Sequence, residues 1–321
     1  MANYTILSKK DVDVLIAQYA VGDVLDFALI QGGASSSSYK VYTSTVVFVL
    51  TICDEKELSD VRNMVELLAI LEQKDFPTTR VVHSKTQGPI TRFHTRPVLL
   101  KDYIEGQVID ELDLNMLDQL GRTTARLHEI PAPECLPKAF PYGLVYFPEV
   151  TTTSLVPEYS AWLNEKLIYL SENISPELPK GLIHGDIFND NILFFPPEGQ
   201  SETGHHQLTA IIDFEEACDY YEVFDLGMVI VGTCANQGTI SLSHARSFVN
   251  GYQSRRQLEA PEKDSLKLFT EYAAVATSFW RFRQHHILKP DKARANDYVE
   301  MKRLADHIHS IPQEQFREGI N

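Results

Sequence analysis

The stretch Leu182-Ile183-His184-Gly185-Asp186-Ile187-Phe188-Asn189-Asp190-Asn191 is followed, further along the chain, by Ala210-Ile211-Ile212-Asp213-Phe214. An Asp two residues after a His, an Asn five residues beyond that Asp, and a second Asp closing a short apolar strand form the side-chain set that phosphoryl transfer requires. Asp186 can accept the proton of an acceptor hydroxyl, while Asn191 and Asp213 are hard oxygen ligands suited to Mg²⁺. The spacing therefore predicts a kinase with these three catalytic residues, two of them metal ligands.

The alternative is that His184 and Asp186 are ordinary loop residues beside a buried strand. For one H-x-D sequence alone we would favour that interpretation. Asn191 in register, and Asp213 at the end of the apolar residues 210–212, favour the kinase instead.

Composition limits the class of protein. With 321 residues, of which 44% are apolar, the chain can bury a full core, and its length suggests two domains. The formal net charge of −15 argues against nucleic-acid binding, which usually leaves a basic footprint. An acidic surface could attract cationic acceptors, but solubility explains the same charge without a partner.

Cysteine spacing and hydropathy indicate the cellular compartment of the protein. The four cysteines are widely separated and form no C-x-x-C pair, which argues against a zinc site or a disulfide framework. We find neither the apolar core of a signal peptide nor a stretch long enough to span a bilayer. We therefore expect a cytoplasmic monomer or homodimer that binds neither membranes nor nucleic acid.

Residues 1–100 predict a strand-rich nucleotide-binding lobe. β-branched and apolar residues alternate in short runs between turn residues, which favours strands, and the short turns favour antiparallel order. The predicted strands are 24–30, 39–42, 45–52, 80–82 and 95–100. Between the third and fourth, apolar residues recur at the spacing of one buried helix face, namely Val61, Met64, Val65, Leu68 and Leu71.

Residues 101–106 are predicted to form a hinge, and residues 107–321 a mainly helical catalytic and acceptor-binding lobe. Helical periodicity appears in residues 117–127 and 159–170, and Pro261 is expected to open a long helix that reaches His286. A hairpin over residues 192–212 is expected to interrupt the helices and carry the catalytic side chains.

The catalytic region resembles a known family. Residues 181–195 and the run Phe224-Asp225-Leu226-Gly227 resemble the aminoglycoside phosphotransferase-like family, which shares the two-lobed protein-kinase fold. Within that family, residues 48–52 and the segment 251–281 are similar to type II homoserine kinases. The resemblance covers nearly the whole chain.

The resemblance implies an α+β, protein-kinase-like fold with a small antiparallel-sheet N-lobe and a larger, mainly helical C-lobe. It implies ATP and Mg²⁺ as cofactors, and a small-molecule acceptor whose hydroxyl is phosphorylated, with L-homoserine as the first candidate. Aminoglycosides, choline or another amino alcohol are the alternative acceptors. A nucleotide-binding pseudokinase is the rival from another class, but a protein that only binds has no need of a positioned base.

Nucleotide contacts are expected in two segments. Small residues between the first two strands would let backbone N–H groups approach the phosphates; these are Gly32, Gly33, Ser35 and Ser36. An ordinary hairpin loop is the alternative for this run. The resemblance also implies that the backbone near Lys101 and Tyr103 receives the adenine.

Thr51 departs from the wider kinase pattern, which places a lysine in this strand to hold the α- and β-phosphates. A hydroxyl cannot replace that charge, although type II homoserine kinases are similar to this chain at the same point. The group that neutralises the phosphates is therefore unassigned. Lys40 and Lys56 are candidates, and solvated surface lysines are the alternative for both.

Acceptor binding is assigned to His184 and to the end of the helix 261–286, where Trp280, Arg281 and Arg283 lie close together. An amino acid acceptor carries a carboxylate, which the planar fork of an arginine binds best. The alternative is that these arginines lie along an apolar helix and pair with the acidic surface.

Two further residues receive supporting roles. The family pattern implies that Asp225 braces the catalytic loop, with a helix N-cap as its alternative or additional role. His128 shares the apolar face of its helix with Leu127, so it is expected to be a core histidine with satisfied hydrogen bonds.

Overall fold

The computed structural model describes residues 5–30, 36–86, 88–196 and 206–320. The chain divides into two compact units, residues 1–106 and 107–321. The predicted hinge, residues 101–106, lies in the first unit, and its role as a hinge stays a prediction.

The first unit is built on a five-stranded antiparallel sheet in the order β1-β2-β3-β5-β4. This confirms the predicted antiparallel N-lobe. Its elements are α1 (Lys9–Ile16), β1 (Val24–Ile30), β2 (Ser37–Thr43), β3 (Val47–Ile52), α2 (Leu58–Gln73), β4 (Thr91–Phe93) and β5 (Arg96–Asp102).

The two faces of this sheet differ in character because side chains alternate along each strand. On β2, Tyr39 and Val41 are buried in a core that includes Leu15 and Ile16 of α1. Ser38 and Lys40, on the opposite face of the same strand, are only half-buried. The sheet therefore has one apolar face packed against α1 and one face with polar side chains.

The predicted helix in residues 61–71 is confirmed as α2. Val61, Leu68 and Leu71 are buried, and Met64 and Val65 are partly buried against the cluster around Cys53 and Leu99. The predicted strand 80–82 is wrong, since Val81 forms only an isolated bridge with Lys101. The segment still contacts β5 through two backbone hydrogen bonds, from Val82 N–H to the Leu100 carbonyl and from Asp102 N–H to the Arg80 carbonyl.

Two elements of the first unit were not predicted. The short helix α1 is preceded by the N-cap residue Ser8, whose side chain forms a capping box with Asp11. Strand β4, Thr91–Phe93, forms the edge of the sheet beside β5. Both are shorter than the windows over which periodicity is informative.

The second unit is mainly helical, as predicted. Its helices are α3 (Leu114–His128), α4 (Pro148–Thr151), α5 (Pro157–Asn173), α6 (Glu222–Thr233), α7 (Leu242–Gln253), α8 (Ala260–Phe282), α9 (Tyr298–Ser310) and α10 (Gln313–Ile320). Its short strands pair as hairpins or two-stranded ladders, and they are β6 (Lys180–Ile183), β7 (Ile192–Phe195), β8 (Gln207–Ile211), β9 (Cys218–Tyr221), β10 (Ala235–Asn236) and β11 (Thr239–Ile240).

The long predicted helix 261–286 is α8, and it ends earlier than expected. After Phe282 the chain continues as a π-helical turn over Arg283–Leu288. Such turns are rare and often lie at functional sites. Within the described ranges, no helix is both long and apolar enough to cross a membrane.

Candidate active site

The catalytic hairpin is formed by β7 and β8, which pair antiparallel with Ile192 opposite Ile211. Asn191 directly precedes β7, and Asp213 is the second residue after the end of β8. The backbone N–H of Ile212 donates to the carbonyl of Asn191 at 2.9 Å, which closes this end of the hairpin. The hairpin therefore brings the two predicted metal ligands to the same end of two paired strands.

Asp186 lies in the loop after β6 and directly contacts Asn191. The Asn191 amide nitrogen donates to the Asp186 carbonyl at 2.8 Å and lies 3.4 Å from its Oδ2. On the other side, the Tyr142 hydroxyl lies 3.4 Å from Asp186 Oδ1. Both carboxylate oxygens therefore have a neutral donor, and the Asn191 amide oxygen is the end of that side chain able to coordinate a cation.

Negative charge is concentrated around Asp186. Burial, followed by the nearby carboxylates of Glu216, Asp213 and Asp190, raises the pKa of Asp186 to about 8. Perturbed carboxyl groups of this kind mark candidate functional sites. The arrangement suits a base that must take up a proton, in surroundings that favour a cation.

Two glycine-like backbone conformations shape the site. Asp213 has φ 68° and ψ 64°, a left-handed conformation that is uncommon for residues with a side chain and is often found at functional sites. Gly185 has φ +83°, and a Cβ there would lie 2.8 Å from Cε2 of Phe140 and 3.0 Å from the Glu216 carbonyl. The turn before Asp186 therefore requires glycine.

Asp225, on α6, braces the catalytic loop, as predicted. Its fully buried carboxylate accepts from the backbone N–H of His184 at 2.8 Å and of Gly185 at 2.7 Å. The N-cap alternative is wrong because the N-cap of α6 is Tyr221. The expectation for His128 is also confirmed, since it is buried and both ring nitrogens have hydrogen-bond partners.

The assignment of His184 to acceptor binding is wrong. The residue is fully buried, with Nε2 2.9 Å from the Ile212 carbonyl and Nδ1 3.2 Å from the backbone N–H of Asp186. Burial, partly offset by Asp225, lowers the pKa of His184. A neutral ring that donates from Nε2 and accepts at Nδ1 satisfies both contacts, so His184 joins the hairpin to the catalytic loop.

Only part of the predicted nucleotide site is described. Gly32, Gly33 and Ser35 lie outside the described residues, and Ser36 directly precedes β2. Lys101 lies within β5, opposite Val49, whereas Tyr103 follows the end of the strand. Of the two predicted adenine contacts, Tyr103 is therefore the one outside the β5 ladder, and both contacts stay predictions.

Lys40 is held by aromatic rings. Its ammonium lies 3.9 Å from the ring centroid of Tyr103 and 5.3 Å from that of Tyr42. The Tyr103 hydroxyl raises the pKa of Lys40, so the side chain stays charged. This places the Lys40 ammonium beside a residue predicted to contact the nucleotide.

Thr51 is buried in β3, and its hydroxyl lies 3.0 Å from that of Ser38. The contact is a neutral hydrogen bond between two hydroxyl groups.

We expect Thr51→Ala to have a mild effect on activity, within the ~0.5–1.5 kcal/mol of one neutral hydrogen bond. The measurement is the KM for ATP together with kcat, compared with Ser38→Ala, which removes the other hydroxyl of the same pair. A loss of several orders of magnitude would show that Thr51 contacts the phosphates directly.

The predicted acceptor residues on α8 and the π-helical turn have different surroundings. The ring centroid of Trp280 lies 6.4 Å from that of Tyr142, whose hydroxyl contacts the Asp186 carboxylate. Arg281 forms an ion pair with Glu300 of α9 at 2.7 Å. Arg283 forms an ion pair with Glu149 of α4 at 2.5 Å.

A cavity of about 180 Å³ adjoins the catalytic loop. Phe188 of that loop, Asn236 and Gln237 of the following hairpin, and the Arg281–Glu300 pair are among its lining residues. Arg283 is not among the described residues that line it. Of the two predicted acceptor arginines, Arg281 is therefore the one that lines this cavity.

Two residues of the site were missed in the sequence. Glu216 directly follows the Asp213-Phe214-Glu215 run, so its proximity in the chain was a usable signal. Tyr142 lies 44 positions before Asp186 and offers no local signal. Only the packing of the second unit brings its hydroxyl to the carboxylate.

Known proteins share both the sequence pattern and the fold. The phosphotransferase enzyme family matches residues 26–266. A homoserine kinase of Bartonella tribocorum is 26% identical over 300 residues, which cover 91% of each chain.

Solved structures show the same protein-kinase-like fold. A microcompartment-associated aminopropanol kinase is similar with a TM-score of 0.71 at 19% identity, covering 94% of this chain and 97% of that one. Amicoumacin kinase in complex with AMP-PNP and Ca²⁺ is similar with a TM-score of 0.70 at 14% identity, covering 96% and 97%. The matched residues include both catalytic stretches, and the chain belongs to the phosphotransferase enzyme family as an ATP-dependent small-molecule kinase.

Proposed function

We propose that the acceptor is L-homoserine, whose side-chain hydroxyl receives the γ-phosphoryl group of ATP. The observation that carries this proposal is the full-length match to a protein named homoserine kinase, over 91% of both chains. A match confined to the catalytic motifs would not distinguish acceptors, because acceptor pockets in one fold vary.

The cavity beside the catalytic loop supports an amino acid acceptor. A zwitterion needs one cationic and one anionic partner, and the cavity offers both in Arg281 and Glu300. Arginine binds carboxylates through two parallel hydrogen bonds. The amide side chains of Asn236 and Gln237 add neutral donors and acceptors to the same cavity. We propose that Arg281 holds the acceptor carboxylate and Glu300 its ammonium group.

We also propose Mg²⁺ as the cofactor. Within the described ranges, no group of three or more His, Cys, Asp or Glu side chains is arranged as a metal site by itself. Mg²⁺ commonly binds one or two protein oxygens and completes its shell with substrate phosphates and water. The exposed Asp213 carboxylate and the Asn191 amide oxygen would hold it. When bound, the metal would neutralise charge on the transferring phosphoryl group.

The protein residues carry the proton and orient the reactants. The acceptor hydroxyl oxygen forms a bond to the γ-phosphorus while the bond from that phosphorus to the bridging oxygen of ADP breaks. The hydroxyl proton passes to Asp186, whose carboxylate is oriented by Tyr142 and Asn191. Phosphohomoserine and ADP are the products, and Asp186 is left protonated until its proton returns to solvent.

Arg281→Ala is expected to raise the KM for homoserine about 10- to 100-fold, because a hydrogen bond to a charged group contributes ~1.5–3 kcal/mol. The KM for ATP should change little. Arg283→Ala is the matched control, since it also removes an arginine paired with an exposed glutamate but lies outside the cavity lining. An unchanged homoserine KM in Arg281→Ala would contradict the carboxylate assignment.

The acceptor itself is tested by measuring ADP release with a panel of alcohols at equal concentration. The panel contains L-homoserine, other hydroxy-amino acids, 1-amino-2-propanol, choline and aminoglycosides. We expect the highest kcat/KM with L-homoserine. A higher kcat/KM with an amino alcohol that lacks a carboxylate would show that the acceptor belongs to that class and is not homoserine. No turnover with any member of the panel would contradict the proposed function. A cytoplasmic location and a monomeric or homodimeric state stay predictions.

A further inference from the structure

The aspartate that braces the catalytic loop is itself held by a third donor. Besides the two backbone N–H groups, Asp225 Oδ2 lies 3.2 Å from Nε2 of His128. Both side chains are fully buried. His128 is at the C-terminal end of α3, so this contact joins the catalytic loop to a helix that carries none of the catalytic side chains.

The opposite nitrogen of the same imidazole is also occupied. His128 Nδ1 lies 2.8 Å from the Tyr252 hydroxyl, on α7. Tyr252 is fully buried, and its ring packs edge-on against His128 with centroids 5.5 Å apart. The three side chains Tyr252, His128 and Asp225 therefore form a buried hydrogen-bonded row, which ends at the backbone of His184 and Gly185.

The helices that carry this row are packed too closely to shift. A Cβ on Gly121 of α3 would clash with the carbonyl of Phe248 on α7, and a Cβ on Gly251 of α7 would clash with the carbonyl of Asp118 on α3. Backbone contact at both glycines sets the position of α7 relative to α3. This contact also fixes the distance between His128 and Tyr252, which lie near the C-terminal ends of these two helices.

The protons in the row can be assigned from its partners. Asp225 is ionised, because its pKa is lowered: burial alone would raise that pKa, but the hydrogen bonds from the His128 side chain and the His184 backbone outweigh it. An ionised carboxylate accepts only, so His128 donates from Nε2. At the other ring nitrogen, Nδ1, the hydrogen-bond partner is the Tyr252 hydroxyl.

We infer that His128 and Tyr252 are positioning residues, which set the catalytic-loop backbone, and so the base, through Asp225. Without the donor from His128, the buried Asp225 carboxylate loses one of its three partners and can rotate away from the two loop N–H groups. Asp186 follows Gly185 directly, so a small change in that turn moves its carboxylate relative to the acceptor hydroxyl. Misplacement of a catalytic group by about 1 Å can cost ~10²-fold in rate.

Two His128 variants separate positioning from simple packing. His128→Leu keeps a buried side chain but removes both hydrogen bonds, and we expect kcat to fall about 10- to 100-fold with the KM for ATP within twofold. His128→Gln can still donate to Asp225 from its amide nitrogen, so we expect it to recover most of that loss. If His128 had only a structural role, the kcat of His128→Leu and of His128→Gln would change only in proportion to the fraction of each variant that is folded.

Tyr252→Phe removes a single oxygen and covers the case in which His128→Leu does not fold. We expect a fall in kcat of about 2- to 13-fold, the effect of one neutral hydrogen bond. Tyr159→Phe is the matched control, because it removes another buried tyrosine hydroxyl, whose partner, 3.0 Å away, is Ser278 on α8 and not a residue of the Asp225 row. Both variants should lose similar thermal stability, but only Tyr252→Phe should lose kcat.

All variants are assayed with ATP and whichever panel alcohol gives the highest rate, so the outcome does not depend on homoserine being the acceptor. Thermal unfolding midpoints are measured on the same preparations. In the His128→Leu background, Tyr252→Phe should have no further effect on kcat. Unchanged kcat in Tyr252→Phe, or equal losses in Tyr252→Phe and Tyr159→Phe, would overturn the inference.

Discussion

Asp186→Asn is expected to lower kcat by about 10²–10⁴-fold, the usual contribution of a positioned general base. Asn keeps the size of the side chain but cannot take the acceptor proton. The KM for ATP should change little, because the residue is assigned to the hydroxyl and not to the nucleotide. The measurement is steady-state ADP release with ATP and acceptor varied separately. A kcat near that of the parent would show that Asp186 is not the base.

Asp186→Asn should also raise the thermal stability of the protein. A fall in kcat without a fall in stability would show that the variant loses catalysis and not its fold. In the folded chain the Asp186 pKa is raised to about 8, whereas an unfolded Asp has a pKa near ~3.9. Between these values the folded chain binds the extra proton, so its stability falls as pH rises through that window. Asn cannot ionise and avoids this loss. At pH 8, in EDTA, the variant should therefore have a higher Tm than the parent.

Asp213→Ala is expected to abolish turnover or to raise the Mg²⁺ concentration needed for half-maximal activity strongly. The substitution removes the charged oxygen ligand from the proposed metal site and leaves only the neutral Asn191 amide. The measurement is kcat as a function of free Mg²⁺ at saturating ATP. Metal-independent activity of the parent would contradict the assignment.

Asp190→Ala is the matched control for this experiment. Asp190 is an exposed acid in the same region, it also raises the pKa of Asp186, and it was not assigned to the metal. We expect its Mg²⁺ dependence to stay close to that of the parent. Equal shifts in both variants would indicate a general effect of negative charge rather than coordination by Asp213.

The sequence alone determined those parts of the site that lie close together in the chain. Asp186 and Asn191 are five residues apart, and the hairpin between Asn191 and Asp213 closes through backbone hydrogen bonds. Their mutual geometry follows from short covalent connections and from strand pairing. Strands β1, β2, β3 and β5 and the buried face of α2 were predictable for the same reason, since alternation and helical periodicity are local patterns.

Tertiary structure decided which distant side chains meet these residues. Tyr142 reaches Asp186 across 44 positions, and His128 reaches Tyr252 across 124. His184 shares the catalytic motif with Asp186, yet packing buries it and leaves it no access to an acceptor. Arg281 and Arg283 are two residues apart and so point in different directions, but their partners, Glu300 on α9 and Glu149 on α4, follow from the packing of those helices. Such contacts depend on how whole elements pack, and packing is set by all the buried surfaces together rather than by any local pattern.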